Sequence, residues 1–126
     1  TILKAKKNKS IIISDRFTDS TYAYQVVGNN IDKKVNDINK KYIVNNLKPN
    51  LTIILKSNMS SINKRLKKRK NKNKFDLLKK NFYTKVQNSL VNLSKNNENY
   101  YVLDSSNNNT YVEKKIISLV LEKIKI

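Results

Sequence analysis

Ile11-Ile12-Ile13-Ser14-Asp15-Arg16-Phe17-Thr18-Asp19-Ser20-Thr21-Tyr22-Ala23-Tyr24-Gln25 is the stretch from which the fold of this chain is best read. An apolar run of strand length stops at an acid-base pair, and a polar-aromatic helical segment follows at once. In an open α/β sheet, ligands bind just beyond the carboxyl ends of the strands, where Asp15 and Arg16 are expected to sit. On a helix, Thr21, Tyr24 and Gln25 fall at i, i+3 and i+4, which places a hydroxyl, a phenol and an amide on one face. A carboxylate and a guanidinium at a strand end can position Mg²⁺ or its waters and clamp a phosphate. The same two residues can equally form an ordinary structural ion pair.

Two further apolar runs read as strands, Leu51 to Leu55 and Tyr100 to Leu103. Like Ile11 to Ser14, they lack polar alternation, as strands buried on both faces of a parallel sheet do. Helical stripes lie between them. Ile31, Val35, Ile38 and Tyr42 form one, followed by a turn at Lys48-Pro49-Asn50. Leu78, Phe82, Val86, Ser89/Leu90 and Leu93 form the longest, and Val112, Ile116, Val120 and Ile124 the last, after a polar Ser105 to Thr110 loop. Strands alternating with helices indicate a parallel α/β sheet. In Lys64 to Lys74, eight of eleven residues are Lys or Arg, and the Ile62/Leu66 spacing makes the first part of that run helical.

Composition removes whole classes of chemistry. The 126 residues allow one domain with a modest core. There is no Cys and no His, so disulfides, thiolate nucleophiles and His-assisted catalysis are excluded, along with the commonest metal ligand. A single glycine, Gly28, rules out a glycine-rich phosphate loop within these residues. No apolar run reaches membrane-spanning length, so a cytoplasmic location is expected. The net charge of +18 suggests nucleic acid on its face. Yet 24 Lys, 21 Asn and 14 Ile are the mixture an A/T-rich coding sequence produces. Against that background the three arginines, Arg16, Arg65 and Arg69, stand out. Arg is expected to persist where a planar two-pronged donor must grip a phosphate or carboxylate.

The Asp15-Arg16-Phe17 step with its trailing Ser20-Thr21-x-Ala23-Tyr24-Gln25 resembles the Asp-Arg-Tyr/His/Phe motif of thymidylate kinases. The resemblance runs over about residues 11 to 120. Lys48-Pro49-Asn50-Leu51-Thr52-Ile53-Ile54-Leu55 is similar to the family's Lys-Pro-Asp-Leu-Thr-Ile-Leu-Leu strand. Ile62-Asn63-Lys64-Arg65-Leu66 with Arg69 resembles the helix entering the lid, and Asn73-Lys74-Phe75-Asp76 the lid's Asp-Arg-Phe-Glu. Phe82-Tyr83-Thr84-Lys85-Val86 and Tyr101-Val102-Leu103-Asp104 resemble the helix and strand that follow. The resemblance implies that Arg16 holds the acceptor phosphate and that Asp15 takes part in the metal and phosphate network. Thr21, with Ser20 and Gln25 nearby, would read the thymine edge, and Tyr24 would pack under the deoxyribose. Arg65, Arg69 and Lys74 would be the lid cations over ATP, with Arg69 in the catalytic set and Mg²⁺ accompanying the nucleotide.

The implied fold is a P-loop NTPase-like three-layer α/β domain with a parallel sheet, truncated at its amino terminus. Residues 1–126 would be a partial nucleoside-monophosphate-kinase domain with a lid at about 64–76. Three departures from the pattern stand out: Asn73-Lys74 in place of the lid's Asp-Arg, Asn50 in place of an acid, and Lys56-Ser57 where an acid is common. The family's P-loop βα unit, and an early helix that stacks on and hydrogen-bonds the thymine, have no counterpart. This implies the carboxy-terminal part of a longer, typically homodimeric enzyme, the fragment itself being inactive. The missing strand would lie between Ile11–Ser14 and Leu51–Leu55, so both would face a gap with unpaired backbone, an invitation to aggregate. The implied substrates are ATP and dTMP, with no membrane or nucleic-acid partner. Two other classes stay open, another deoxynucleoside or nucleotide kinase and a nonenzymatic basic module binding nucleic acid. Against the second, aromatics do not interleave with the basic run.

Overall fold

A computed structural model describes residues 2–44, 47–69, 80–107 and 110–124. Its centre is a pair of parallel strands, β1 (Thr52–Lys56) and β2 (Tyr100–Asp104), in register from Thr52 against Tyr100 to Lys56 against Asp104. Parallel strands need a crossover rather than a hairpin. Here the connection carries α4 (Met59–Lys68) and α5 (Lys80–Ser94). The α/β reading and the positions of both strands follow the sequence to within one residue.

The amino-terminal part is helical. α1 (Ile2–Lys7) is short and buries no residue. α2 (Thr18–Thr21) widens without a break into a π-helical segment, Tyr22–Gly28. α3 (Lys33–Ile38) does the same into Asn39–Ile43. Asp32 caps α3 by accepting from Lys34 N–H at 2.9 Å, and Asn58 caps α4 by accepting from Ser61 N–H at 2.8 Å. α6 (Thr110–Ile124) closes the chain, and Lys123 Nζ donates to Asn99 Oδ1 at 2.9 Å, just before β2.

Among the described residues the buried apolar side chains are Ala23, Ile54, Val86, Val112 and Leu119. α5 joins the halves of the molecule, packing on both strands and on the Tyr22–Gly28 segment. Its stripe agrees with the expected one at Phe82, Val86 and Ser89, whereas Leu78 lies outside the described residues. On α6 the buried positions are Val112 and Leu119, and Ile124 of the expected stripe is exposed.

Two expectations are corrected. Ile11–Ser14 forms no strand, and Ile13 is 89% exposed. A lone extended segment cannot satisfy its own backbone groups, so it becomes a strand only when a neighbour pairs with it. Among the described residues no strand pairs with it. Thr52 N–H donates to Asn99 O at 2.8 Å and Ser105 N–H to Lys56 O at 2.8 Å. The backbone of Thr52, Ile54 and Lys56 therefore faces β2, and that of Ile53 and Leu55 faces the opposite edge, which no described strand covers. The second correction concerns the Ile31, Val35, Ile38 and Tyr42 stripe, which is helical from residue 33 but not core. All four are exposed, and the buried side chain of α3 is Asn36.

Candidate functional site

The Asp15-Arg16 step is a sharp turn. Arg16 has φ of +70°, in the left-handed region that costs a side-chain-bearing residue about 1–2 kcal/mol. Ser14 Oγ donates to Arg16 O at 2.7 Å and helps hold the turn. Its consequence is an aim: the guanidinium folds back over the ring of Tyr24, 4.8 Å from the centroid. Arg16 and Tyr24 are eight positions apart in sequence and are brought together as one cationic, planar unit on the surface.

The π-helical turn alters the expected common face. A π-helix bonds i to i+5, as Asn29 N–H does to Tyr24 O at 3.1 Å, so each turn holds more residues than an α-turn. Thr21 and Gln25 stay nearly in line, and Tyr24 swings off that line toward Phe82, 6.0 Å between ring centroids. Gln25 Oε1 accepts from Asn29 Nδ2 at 3.1 Å, which orients the amide of Gln25. Ser20 and Thr21 are half-buried beside them, and Asp15 is exposed.

Asp19, inside the same motif, makes the contact that sequence reasoning missed. Tyr100 Oη donates to Asp19 Oδ2 at 2.6 Å across 81 positions. Burial, and then the hydrogen bond and charge of Asp19, push the Tyr100 phenol up to about 12. No local signal announces a pairing of this separation. Tyr100 opens β2, so the motif is tethered at the amino end of the sheet.

The basic cluster lies at the other end. α4 leaves the carboxyl end of β1 with Arg65 in its last turn, and Arg65 Nη2 donates to Ser105 O in the loop after β2. Arg69 caps α4 in an extended conformation, φ −71° and ψ 123°, so Arg65 and Arg69 do not share a helical face as their spacing implied. Lys74 lies outside the described residues. At about 3.3 Å per residue, Tyr100 and Ser105 stand about 17 Å apart along β2, so the Asp19 tether and the Arg65 contact lie at opposite ends of that strand. Two open surface depressions among the described residues lie elsewhere, one along α6 at Ile117 and Leu121, the other between Tyr22, Val27 and Ser89. A polar set at strand ends explains more chemistry than these shallow grooves do.

The residues that form the Asp-Arg turn, the strand pair and the basic helix have relatives in sequence. The thymidylate kinase family model matches residues 1–116. The chain belongs to the thymidylate kinase family. It is 35% identical over 127 residues to the thymidylate kinase of Mycoplasma capricolum subsp. capricolum, covering 98% of this chain and 60% of that relative. Against the thymidylate kinase of Ehrlichia ruminantium (strain Gardel) it is 34% identical over 126 residues, covering 99% and 59%. With that of Neisseria meningitidis serogroup B the figures are 30% over 108 residues, 85% and 52%. The chain thus spans about 60% of the length of the first two relatives. Membership in the thymidylate kinase family carries a P-loop NTPase fold, of which β1 and β2 are a parallel portion.

Proposed function

We propose that the complete protein from this gene transfers the terminal phosphoryl group of ATP to dTMP, giving dTDP. The observation that carries this reading is the Arg16–Tyr24 stack, which presents a phosphate-gripping guanidinium and a flat ring side by side. In this reading Arg16 holds the acceptor phosphate and Tyr24 underlies the deoxyribose. Ser20, Thr21 and Gln25 select the base, and Asp15 supports the metal network. Phosphoryl transfer is mostly positioning and charge neutralisation, for which these groups are suited.

The remaining assignments follow the same logic. Among the described residues no three His, Cys, Asp or Glu side chains gather into a metal cage. One exposed carboxylate, Asp15, suits a Mg²⁺ held chiefly by ATP oxygens and water, a role through a water molecule. The ion would neutralise the charge of the transferring phosphate. Arg69 and Lys74 are assigned to the lid. Residues 1–126 form the acceptor and lid portion of the domain, and a further strand against the free edge of β1 would carry Ile11–Ser14 into the sheet. Asp15 and Arg16 would then reach the carboxyl ends of the strands. A homodimer would cover the exposed Val35, Ile38 and Tyr42. No described helix is long and apolar enough to cross a membrane. ATP and dTMP as co-substrates support a cytoplasmic setting.

The test is a coupled ADP-release assay with dTMP on the complete protein, with Arg16→Ala and the 126-residue chain in parallel. Turnover is expected in the complete protein, with kcat/KM about 10²–10³ lower in Arg16→Ala and none in the isolated chain. An active complete protein that ignores dTMP but phosphorylates another nucleotide would displace this reading.

A further inference from the structure

Several hydrogen bonds join the carboxyl ends of β1 and β2 to each other and to the start of α4. Ser105 donates to Lys56 O twice, from N–H at 2.8 Å and from Oγ at 3.0 Å. Asn58 N–H donates to Ser106 Oγ at 2.9 Å, while its own side chain caps α4. Ser106 N–H donates to Asp104 Oδ1 at 2.9 Å. The Ser106 hydroxyl and N–H, aided by Lys56, hold the Asp104 carboxyl below its ordinary range. Arg65 completes the arrangement from two turns along α4, giving its guanidinium to Ser105 O.

We infer that Arg65 is a positioning residue: its guanidinium ties the Ser105–Ser106 loop to α4, so the loop and the arginine-bearing helix keep one geometry. The inference rests on the kinase reading above for its consequence, though not for the contact itself. The partner of its Nη2 is a peptide carbonyl, the group that closes the loop rather than one a nucleotide supplies. A carbonyl at a loop needs a donor, and a planar guanidinium supplies one at fixed geometry, better than a lysine ammonium that is readily resolvated. In a chain with 24 Lys and three Arg, this is a position where the planar donor is used. Ligands of open α/β sheets bind at this end of the strands, so the loop at 105–107 lies on the nucleotide side. α4 leads into the lid. Arg65 therefore sets how the two approach ATP without itself touching the transferred phosphate.

The experiment uses the complete protein with Arg65→Met and Arg65→Lys, read by amide hydrogen exchange without nucleotide and by steady-state kinetics. Positioning predicts that amides at 105–107 and Asn58 exchange about tenfold faster in Arg65→Met, with a smaller increase in Arg65→Lys. It predicts a KM for ATP raised about tenfold, an unchanged KM for dTMP, and kcat within about threefold of wild type. Arg65→Lys keeps the charge and the aliphatic stem, so it carries the test if Arg65→Met does not fold. Exchange unchanged in the folded variants, with kcat down about 10³, would overturn the inference and make Arg65 a phosphate ligand. A wild-type protein without dTMP turnover would sink the kinase reading alone, since the nucleotide-free exchange still decides the role of Arg65.

Discussion

Tyr100 and Arg16 show how much one side chain can decide. The Tyr100 phenol donates to Asp19 and so fixes the middle of the motif against β2. Tyr100→Phe in the complete protein should lower stability by about 1 kcal/mol in urea unfolding, the usual worth of such a bond. The pH dependence has a definite sign. The folded phenol holds its proton up to about 12, against 10.0 for an unperturbed tyrosine. The unfolded state therefore deprotonates first, and the contribution, full below pH 10, is lost as pH rises toward 12. Tyr100→Phe should abolish that part of the alkaline decline, and a wild-type-minus-variant difference that stays flat over this range would contradict the contact. Arg16 was legible as a phosphate-binding candidate because it interrupts a lysine-rich chain. Its left-handed backbone and its stack on Tyr24 were not, since both depend on how the turn closes.

Helices and strands bear out periodicity where a packing partner exists and depart from it where none does. α5 has partners on two sides, and its stripe reads correctly at Phe82, Val86 and Ser89. α3 carries an equally regular stripe yet exposes it, because nothing among the described residues covers that side. The π-turns after α2 and α3 left no signature in composition, and the first of them shifts Tyr24 away from Thr21 and Gln25. Gly28 closes the first of them. Its φ is not positive, so the glycine is there for space. A Cβ at Gly28 would lie 2.6 Å from Phe82 Cε2 and 3.2 Å from Ala23 O. Gly28→Ala should therefore push the Phe82 ring off Tyr24 and cost about 1–3 kcal/mol, the range for overpacking. Differential scanning calorimetry of the complete protein measures it, and an unchanged Tm would show that Phe82 yields freely.

For the whole molecule the decisive quantity is edge. β1 offers Ile53 and Leu55 backbone to a side that no described strand covers, Leu55 is 53% exposed, and Ile11 and Ile13 are exposed at 65% and 89%. An apolar, unpaired edge of this kind templates association. The isolated 126-residue chain is expected to self-associate and to melt without a sharp transition. A monomeric profile in light scattering with a cooperative thermal transition would refute this. The sequence by itself determined the α/β class, the positions of β1 and β2, α5, and the motif that places the chain among thymidylate kinases. Each is written in short-range apolar spacing or in adjacent residues whose chemistry is local. Only the tertiary structure decided that Ile11–Ser14 stays out of the sheet, that Tyr100 holds Asp19, and that Arg65 turns to Ser105. Those outcomes depend on which distant backbone or side-chain group happens to be within reach of a hydrogen bond, and no local pattern encodes that.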